Sequence, residues 1–527
     1  MKRELVFAFL AAVLLYLPTA RYGYVQDDRA IVVSNPAAHS IGAALRAFDD
    51  PYWPPESGAG LYRPVTILSF AIDWTVSGGS AGWLHVMNAL WHGLVTVLLV
   101  LILFRWLPPL GAAAAGLVFA WHPVHVEAVA SIVGRAELLV AVGILGAVLA
   151  ARRGWWATAV VLAALAMFSK EHGVIAGVVI LIDKWLQPDG QGVRTPPAFW
   201  AALVVATVAF LGAWFAVGWV GEADEAAVFY GASAFERLAI ALPAVWRAAT
   251  LLVWPASLSV DYNPQVLPVR TGFSLAALAG LGIIIAIPLI VLYCRRRAPA
   301  ISFAAALAAL SYLPTSNLFF PSGIVLAERN LYLAVALPAT LLGTALAPIL
   351  HSRAPHAAPL ASLGAGSRTT GVRLSLMAVS VLLVLAGWRS LARLPAWRDN
   401  RSQLIALLAD HPESYRAHAS AAAVLAGMQD TAGARREYRI ADSLFSEDPY
   451  VAGAHAIFLL NVGDTLGARP LIDRLSSRAE TPAQRMALRA RFLYRLRRGE
   501  LAGARSVADS ARQRFPGEVP WYHPYLQ

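Results

Sequence analysis

The chain is 527 residues long, with 58% hydrophobic residues and only 14% charged residues. Soluble proteins carry about 25% charged residues, so this composition excludes an ordinary soluble fold and indicates an integral membrane protein. The formal net charge of +11 does not indicate a nucleic-acid partner, because cytoplasmic loops of membrane proteins collect Arg and Lys. The single cysteine, Cys294, excludes a disulfide framework and Cys-based metal clusters.

Long apolar runs predict about eleven membrane-spanning helices. A helix needs about 20 apolar residues to cross a bilayer core, and fewer where neighbouring helices assist. The runs lie at 4–20, 84–104, 109–121, 137–151, 155–168, 173–186, 197–219, 272–294, 300–314, 331–350 and 372–391. The first run ends near Pro18-Thr19-Ala20, so a cleaved signal peptide is an alternative to a first span.

The distribution of basic residues predicts the orientation of these spans. With the N-terminus inside, alternate connections contain Arg105, Arg152, Lys184 and Arg295 with hardly an acid, as is typical of cytoplasmic loops. The other connections, and everything after residue 391, then lie outside. Lys occurs only three times among the 43 basic residues, and this Arg bias is typical of a GC-rich bacterial genome. The expected location is therefore a bacterial inner membrane.

The stretch at 237–256 does not fit this scheme simply. It is apolar enough to span but contains Arg237, Pro243 and Arg247. We interpret it as an interfacial amphipathic helix with Trp246 and Trp254 at headgroup depth. Counting it as a span would reverse the orientation of everything that follows.

A repeat begins where the long apolar runs end, near residue 393. The sequence DTAGAR at Asp430–Arg435 recurs as DTLGAR at Asp464–Arg469 and loosely as ELAGAR at Glu500–Arg505, at spacings of 34 and 36. A period of 34 with small residues at the turn is typical of tetratricopeptide repeats. We therefore divide the chain into a membrane domain, 1–392, and a repeat domain, 393–527. A generic helical bundle is the alternative for the second part.

Polar residues cluster in five segments of the predicted outer connections, where charges are costly unless they are paired or serve a site. The first group is Asp27-Asp28, after the first span. Adjacent carboxylates point in different directions, so one can act as a base while the other caps a helix or binds Arg29. Capping alone is the simpler alternative.

Three outer cations are candidates for binding a phosphate. Arg63, in YRP, lies at the start of a short predicted interfacial helix. Its guanidinium either binds a phosphate or simply reaches the water at the membrane surface. Lys170, in SKEH beside Glu171 and His172, is a rare Lys at a helix junction. Arg329, in AERNLYL, can clamp phosphate oxygens bidentately. The alternative for Lys170 is a plain surface pair with Glu171.

A fifth polar segment, HPVHVEAVASIVGRAE, contains two histidines and three charged residues. The spacing of His122 and His125 allows a metal ligand pair that Glu127 could join, but no other closing ligands are evident. We therefore expect a hydrogen-bonded network and no metal, although a divalent ion remains compatible with the residues. The expected network consists of His122, His125, Glu127, Arg135, Glu137, Glu171, His172 and Glu328.

The order of these motifs resembles a known enzyme family. An acid pair after the first span is followed by YRPVT, HPVHVEAVASIVGRAE, FSKE, SLSVDYNP, SNLFFPSGIVLAERNLYL and the repeats. This series resembles the transmembrane and tetratricopeptide repeat containing protein O-mannosyltransferases, of the GT-C glycosyltransferases. The resemblance implies an all-α fold, with a polytopic GT-C helix bundle followed by a tetratricopeptide-type α-solenoid.

The resemblance also implies an activity and its substrates. The enzyme would take mannose or a similar sugar from a polyprenyl-phosphate donor and transfer it to an outer hydroxyl, on protein Ser or Thr. Asp27 or Asp28 would match the catalytic acid of the first loop. The chain has about three repeats where eukaryotic members often have many, so the acceptor and any protein partner of the repeats do not follow from it.

Other functions fit fewer of these features. A transporter would place ionisable groups near the bilayer midplane and often shows inverted repeats, whereas these groups lie at span ends. A membrane-anchored repeat scaffold explains the repeats but not the acids and cations on one side. Transfer to a glycolipid or an envelope polysaccharide would use the same chemistry as transfer to protein.

Overall fold

The computed structural model describes residues 2–54, 60–187, 193–218, 226–267, 274–351, 365–515 and 519–522. Throughout these ranges the chain forms helices, turns and loops but no β-strand, which confirms the predicted all-α class. The helices up to residue 393 are α1 (Lys2–Tyr16), α2 (Ile41–Arg46), α3 (Pro64–Ser77), α4 (Ala81–Leu103), α5 (Pro109–Trp121), α6 (His125–Ala130), α7 (Arg135–Arg152), α8 (Trp156–Ser169), α9 (Ala176–Trp185), α10 (Pro197–Ala213), α11 (Ala234–Val253), α12 (Leu275–Arg297), α13 (Pro299–Tyr312), α14 (Ala336–His351) and α15 (Ala365–Arg393).

Each of the eleven predicted apolar runs forms a helix, apart from position 219 and positions 272–273, which lie outside the described residues. Five helical segments are long and apolar enough to cross a membrane by length and composition. They are Lys2–Arg21, Ala81–Leu103, Pro197–Val217, Leu275–Arg297 and Met377–Trp397. Other apolar helices, such as α5 and α8, have 10–17 residues. The chain is therefore a membrane protein by composition, and the number of eleven spans stays a prediction.

Helix α4 occupies the middle of the bundle, where α1, α5 and α7 pack against it. Its own residues Val95, Leu99 and Leu103 are fully or almost fully buried. Without a strong hydrophobic drive between helices in lipid, close approach at small residues provides the packing. Helix α5 packs in this way against α14: a Cβ at Gly343 would lie 2.6 Å from the carbonyl oxygen of Gly111.

The ambiguous stretch forms α11, a single 20-residue helix with Pro243 inside it. The side chain of Ser233 caps its first turn, and Glu236 completes a capping box. One face packs against α12 so closely that a Cβ at Gly280 would collide with the carbonyl oxygen of Leu242. Trp246 is 43% exposed. The predicted helix is confirmed, and its interfacial position stays a prediction.

After α15 the chain turns through Leu394–Trp397 into shorter helices. These are α16 (Asn400–Asp410), α17 (Tyr415–Gly427), α18 (Thr431–Leu444), α19 (Pro449–Asn461), α20 (Thr465–Ser476), α21 (Thr481–Arg497), α22 (Leu501–Arg514) and α23 (Val519–Tyr522). Helices α17 to α22 form three consecutive pairs, α17 with α18, α19 with α20 and α21 with α22, and each pair packs on the next. The pairs follow the period read from the sequence.

The repeated DTxGAR sequence has a direct structural cause. Asp430 caps α18 by accepting the backbone N–H of Gly433, and Asp464 caps α20 by accepting that of Gly467. A Cβ on Gly433 would collide with the Asp430 carboxylate, which explains why glycine follows at this spacing. Glu500 makes no such side-chain cap on α22, so the third copy departs from the motif here as well.

Packing between α5 and α14 gives a test of the bundle. We expect Gly343→Val to lower the stability by about 1–3 kcal/mol, because the added atoms overpack a buried contact. Gly282→Val in α12 is the matched control, since a Cβ there would meet nothing within 4 Å. Thermal unfolding of the detergent-purified chains measures the difference. Equal midpoints for the two variants would contradict the close packing.

Candidate functional site

The candidate site forms where several helices begin or end. Arg63 directly precedes Pro64, the first residue of α3, and Lys170 directly follows α8. Glu127 lies in α6, and Glu137 in the first turn of α7. Arg329 lies in a short 3-10 turn, Glu328–Leu331, before α14. Helix ends leave backbone polar groups unpaired, so they tolerate polar surroundings better than helix middles do.

Two of the three predicted cations are held by carboxylates from distant segments. Arg63 donates from Nε and Nη2 to both oxygens of Glu171 at 2.9–3.2 Å, and its guanidinium lies 4.9 Å from the Tyr52 ring centroid. Arg329 donates from Nη1 to Glu127 at 2.7 Å and from its backbone N–H to the same carboxylate at 2.9 Å. Such charge-assisted bonds fix the direction of each guanidinium.

The third cation, Lys170, is buried in a small network. Its Nζ donates to Glu137 Oε1 and, at 3.3 Å, to Asn330 Oδ1. His172 Nε2 lies 3.4 Å from the other oxygen of Glu137. Burial lowers the pKa of Lys170, and the positive charges of Arg63 and Arg329 lower it further, while Glu137 opposes both effects. The alternative for Lys170, a surface pair with Glu171, is wrong, because Lys170 is buried and Glu171 binds Arg63 instead.

Two of the three cations, Arg63 and Arg329, retain hydrogen-bond donors. Arg63 uses Nε and Nη2, and Arg329 uses Nη1, for ion pairs with the residues that the structure describes. The Nη1 of Arg63 and the Nε and Nη2 of Arg329 have no acceptor among the described residues, so they are available to a ligand. Arg329 is also the most accessible of the three, with 31% of its side chain exposed. An incoming anion would therefore meet Arg329 first.

The adjacent acids Asp27 and Asp28 have different environments. The carboxylate of Asp28 is buried and accepts the backbone N–H groups of Val25 and Val133 at 3.0 and 2.9 Å. Burial raises its pKa to about 7, against the effect of those two N–H groups. Asp28 therefore ties the first loop to the loop before α7. It does not pair with Arg29, which is exposed.

Asp27, by contrast, remains half-exposed. Its side chain makes no hydrogen bond or ion pair to the parts of the chain that the structure describes. Its charge nevertheless contributes to raising the pKa of Arg329, together with Glu127 and against the effect of burial. It also contributes to raising the pKa of Tyr52, for which burial is the larger cause. The structure thus brings a carboxylate that has no partner among the described residues near Arg329 and Tyr52.

The two histidines of the HPVH segment are buried against backbone. His122 Nε2 contacts the carbonyl oxygen of Leu252 at 3.1 Å, and His125 Nε2 contacts that of Tyr332 at 3.0 Å. Burial lowers the pKa of His122 to about 4, so both rings are neutral at pH 7. Across the described ranges, no three His, Cys, Asp or Glu side chains are arranged to hold a metal ion. The two rings fix the turn between α5 and α6.

Arg135 lies outside the site, although the sequence placed it in the network. It is fully buried between α3, α4 and α7, and donates to Asp73 at 2.5 Å and to Asn88 at 2.9 Å. Trp83 Nε1 donates to the second oxygen of Asp73 at 3.2 Å. A buried cation with this many partners joins helices. The sequence GRAE does not indicate that Arg135 binds Asp73 outside the site while Glu137 binds Lys170 within it.

Glu328 is buried and directly precedes Arg329 in the sequence. Its Oε1 accepts the backbone N–H of Ser259 at 2.7 Å and the hydroxyl of Tyr262 at 2.9 Å. Burial raises its pKa to about 8, while Arg393 opposes this shift. The sequence did not indicate roles for Tyr52, Asn330 or Tyr262. The quoted motifs SLSVDYNP and AERNLYL contained two of them, but no spacing rule connected them to the cations.

The sequence is similar to curated protein O-mannosyl-transferases. It is 28% identical to mouse TMTC3 over 59% of this chain and 38% of that protein. It is 29% identical to a Caenorhabditis elegans protein O-mannosyl-transferase over 63% of this chain and 50% of that protein. It is 38% identical to Drosophila melanogaster Tmtc2 over 25% of this chain and 15% of that protein. These relatives confirm the resemblance. The chain spans half or less of the length of each.

Two other comparisons find nothing. No family model matches the sequence. No solved structure matches it either.

The position of Arg135 gives a test that separates folding from chemistry. We expect Arg135→Met to lower the stability by about 3–5 kcal/mol, because Asp73 is left buried without its cation. Adding Asp73→Asn should recover part of the loss. Thermal unfolding measures both changes. An Arg135→Met chain that unfolds at the original temperature and yet loses all transfer would return Arg135 to the functional site.

Proposed function

We propose that this chain is a glycosyltransferase that moves mannose or a similar sugar from a polyprenyl-phosphate carrier to a hydroxyl of an extracytoplasmic protein. The proposal rests on one observation. Asp27, whose carboxylate has no partner among the described residues, lies near enough to Arg329 to raise the pKa of that guanidinium, and Arg329 in turn lies near Arg63 and Lys170. The names of the relatives support transfer of mannose to protein.

The proposed reaction is a single displacement. The acceptor hydroxyl oxygen bonds to the anomeric carbon while the bond between that carbon and the phosphate oxygen breaks, which inverts the configuration. Asp27 accepts the hydroxyl proton, and the polyprenyl phosphate leaves with the electron pair. General base assistance of this kind contributes roughly 10²- to 10⁴-fold. Asp28 is unsuited to this step because both of its oxygens already accept backbone N–H groups.

The cations serve the leaving group. Negative charge grows on the phosphate as the sugar departs, and donors that are already oriented stabilise it without reorganisation. Glu171 and Glu127 hold Arg63 and Arg329 in place. Lys170 adds a compact charge behind them, held by Glu137. We propose Arg329 and Lys170 as the main phosphate ligands and Arg63 as the third.

The surrounding architecture is part of the proposal. Residues 1–392 form a GT-C membrane domain of about eleven spans, which hold the polyprenyl chain while its head enters the polar site. Residues 393–527 form a tetratricopeptide-type solenoid, consistent with the three helix pairs and their period of about 34 residues. The N-terminus is cytoplasmic and the site faces outward, in a bacterial inner membrane. The solenoid recruits the acceptor or a protein partner.

Substitution of the adjacent acids tests the base. We expect Asp27→Asn to reduce transfer from polyprenyl-phosphate mannose to a Ser/Thr peptide by about 10²-fold or more, with unchanged thermal unfolding. Asp28→Asn is the matched comparison. It should lower the unfolding temperature, because one backbone N–H loses its acceptor. Full transfer by the Asp27→Asn chain would rule out the base.

Substitution of the cations tests the donor site. We expect Arg329→Ala and Lys170→Ala to reduce kcat/KM for the donor by about 10- to 100-fold, since a hydrogen bond to a charged group contributes about 1.5–3 kcal/mol. The effect on the KM for the acceptor peptide should be smaller. Arg29→Ala and Lys184→Ala are the matched controls. Wild-type donor kinetics in both site variants would reject the phosphate role.

A further inference from the structure

The C-terminal region contacts the membrane domain at two loops that lead to the candidate site. One contact reaches the first loop beside Asp27, and the other reaches the loop that packs against Glu328. Both come from residues 398–416, which include α16 and the start of α17. The motifs in the sequence predict neither of these contacts.

The first contact fixes an unusual backbone position. Gln26, directly before Asp27, has a φ of 45°, in the left-handed region that residues other than glycine rarely adopt. The Gln26 N–H donates to Asn400 Oδ1 at 2.7 Å, and the N–H of Gly23 donates to the carbonyl oxygen of Arg398 at 2.9 Å. Strain of this kind persists only where the surroundings over-determine it. The start of α16 is part of those surroundings.

The second contact is formed by α17. Arg416 Nη1 donates to Asp261 at 3.1 Å, and its Nη2 lies 3.6 Å from Asp448, which links it to α19 as well. Next to it, Asn263 Nδ2 donates to the hydroxyl of Ser414 at 2.5 Å. The loop at 259–263 is thereby held to the first pair of the C-terminal helices.

The same loop continues to the cation site. The Ser259 N–H and the Tyr262 hydroxyl both donate to Glu328. Glu328 directly precedes Arg329, whose backbone N–H and guanidinium bind Glu127. A chain of polar contacts therefore runs from α17 to the turn that carries Arg329. The first contact, from Asn400, likewise ends next to a site residue, at Gln26, which directly precedes Asp27.

We propose that Asn400 and Arg416 are positioning residues for transfer. Asn400 holds the backbone of Gln26 and thereby orients the Asp27 side chain. Arg416 holds the loop at 259–263 and thereby fixes the position of the 3-10 turn that contains Arg329. The C-terminal region thus completes the site as well as recruiting a substrate. This inference rests on the proposed function. A displacement of about 1 Å at a reacting group can lower the rate about 10²-fold, so such contacts matter for turnover.

The test compares full-length chains in detergent. The variants are Asn400→Ala and Arg416→Gln. The conservative versions are Asn400→Asp, which keeps the acceptor oxygen, and Arg416→Lys, which keeps the positive charge. Arg474→Gln is the matched control, because Arg474 pairs with Asp442 between α18 and α20, away from these contacts. Hydrogen exchange is followed in peptides covering 23–29, 258–264 and 327–331. Kinetics use polyprenyl-phosphate mannose and a Ser/Thr peptide.

The expected result has two parts. Asn400→Ala speeds exchange at 23–29, Arg416→Gln speeds it at 258–264 and 327–331, and Arg474→Gln does neither. Both site variants lower kcat by about tenfold or more with little change in the donor KM, and the conservative versions recover part of the loss. If hydrogen exchange in both variants is no faster than in the Arg474→Gln control, the proposal that these contacts hold the two loops is wrong. Faster exchange with unchanged kcat would overturn the positioning role.

The two proposals fail separately. If the original chain transfers no sugar, the proposed function falls, while the exchange comparison still decides whether the C-terminal region holds the two loops. If the original chain transfers sugar and the variants equal it, only the positioning roles of Asn400 and Arg416 are wrong.

Discussion

The site depends on the pairing of buried charges at helix ends. A cation without a partner in an apolar bundle costs several kcal/mol, and so does a lone carboxylate. Arg63, Lys170 and Arg329 are each held by a glutamate from another segment of the chain. The pairs therefore do two things together. They permit charge to lie near the apolar helices, and they join segments that are more than 30 residues apart in sequence.

This constraint also explains the difference between Asp27 and its neighbour. Asp28 has the two backbone donors that a buried carboxylate requires, whereas Asp27 has access to water and needs none. An acid that no structural bond holds can exchange protons with a substrate. The same distinction separates Arg135, which is enclosed by partners, from Arg329, which is partly exposed.

Much of the architecture could be predicted from the sequence, because apolar runs and a 34-residue period are direct consequences of helix packing. The helical class and the position of each apolar run agree with the structure. The site was harder to predict. Residue type identified the charged groups, but only geometry separates Arg135 from Glu137 or pairs Glu171 with Arg63. Contacts such as Asn400 with Gln26 join residues 374 positions apart, and a single sequence carries no signal for them.

The acids that hold the three cations have a consequence for selectivity. Because each positive group already has a glutamate as its counterion, the three positive charges are balanced, and the site attracts small anions only weakly at a distance. Free inorganic phosphate would bind only through the donors that Arg63 and Arg329 do not use for their glutamates, without any compensating contact elsewhere. A lipid-linked phosphate gains that compensation from its hydrocarbon tail in the bilayer. Discrimination between the two would then come from the tail rather than from the head group, and the site could stay unblocked in a phosphate-rich medium.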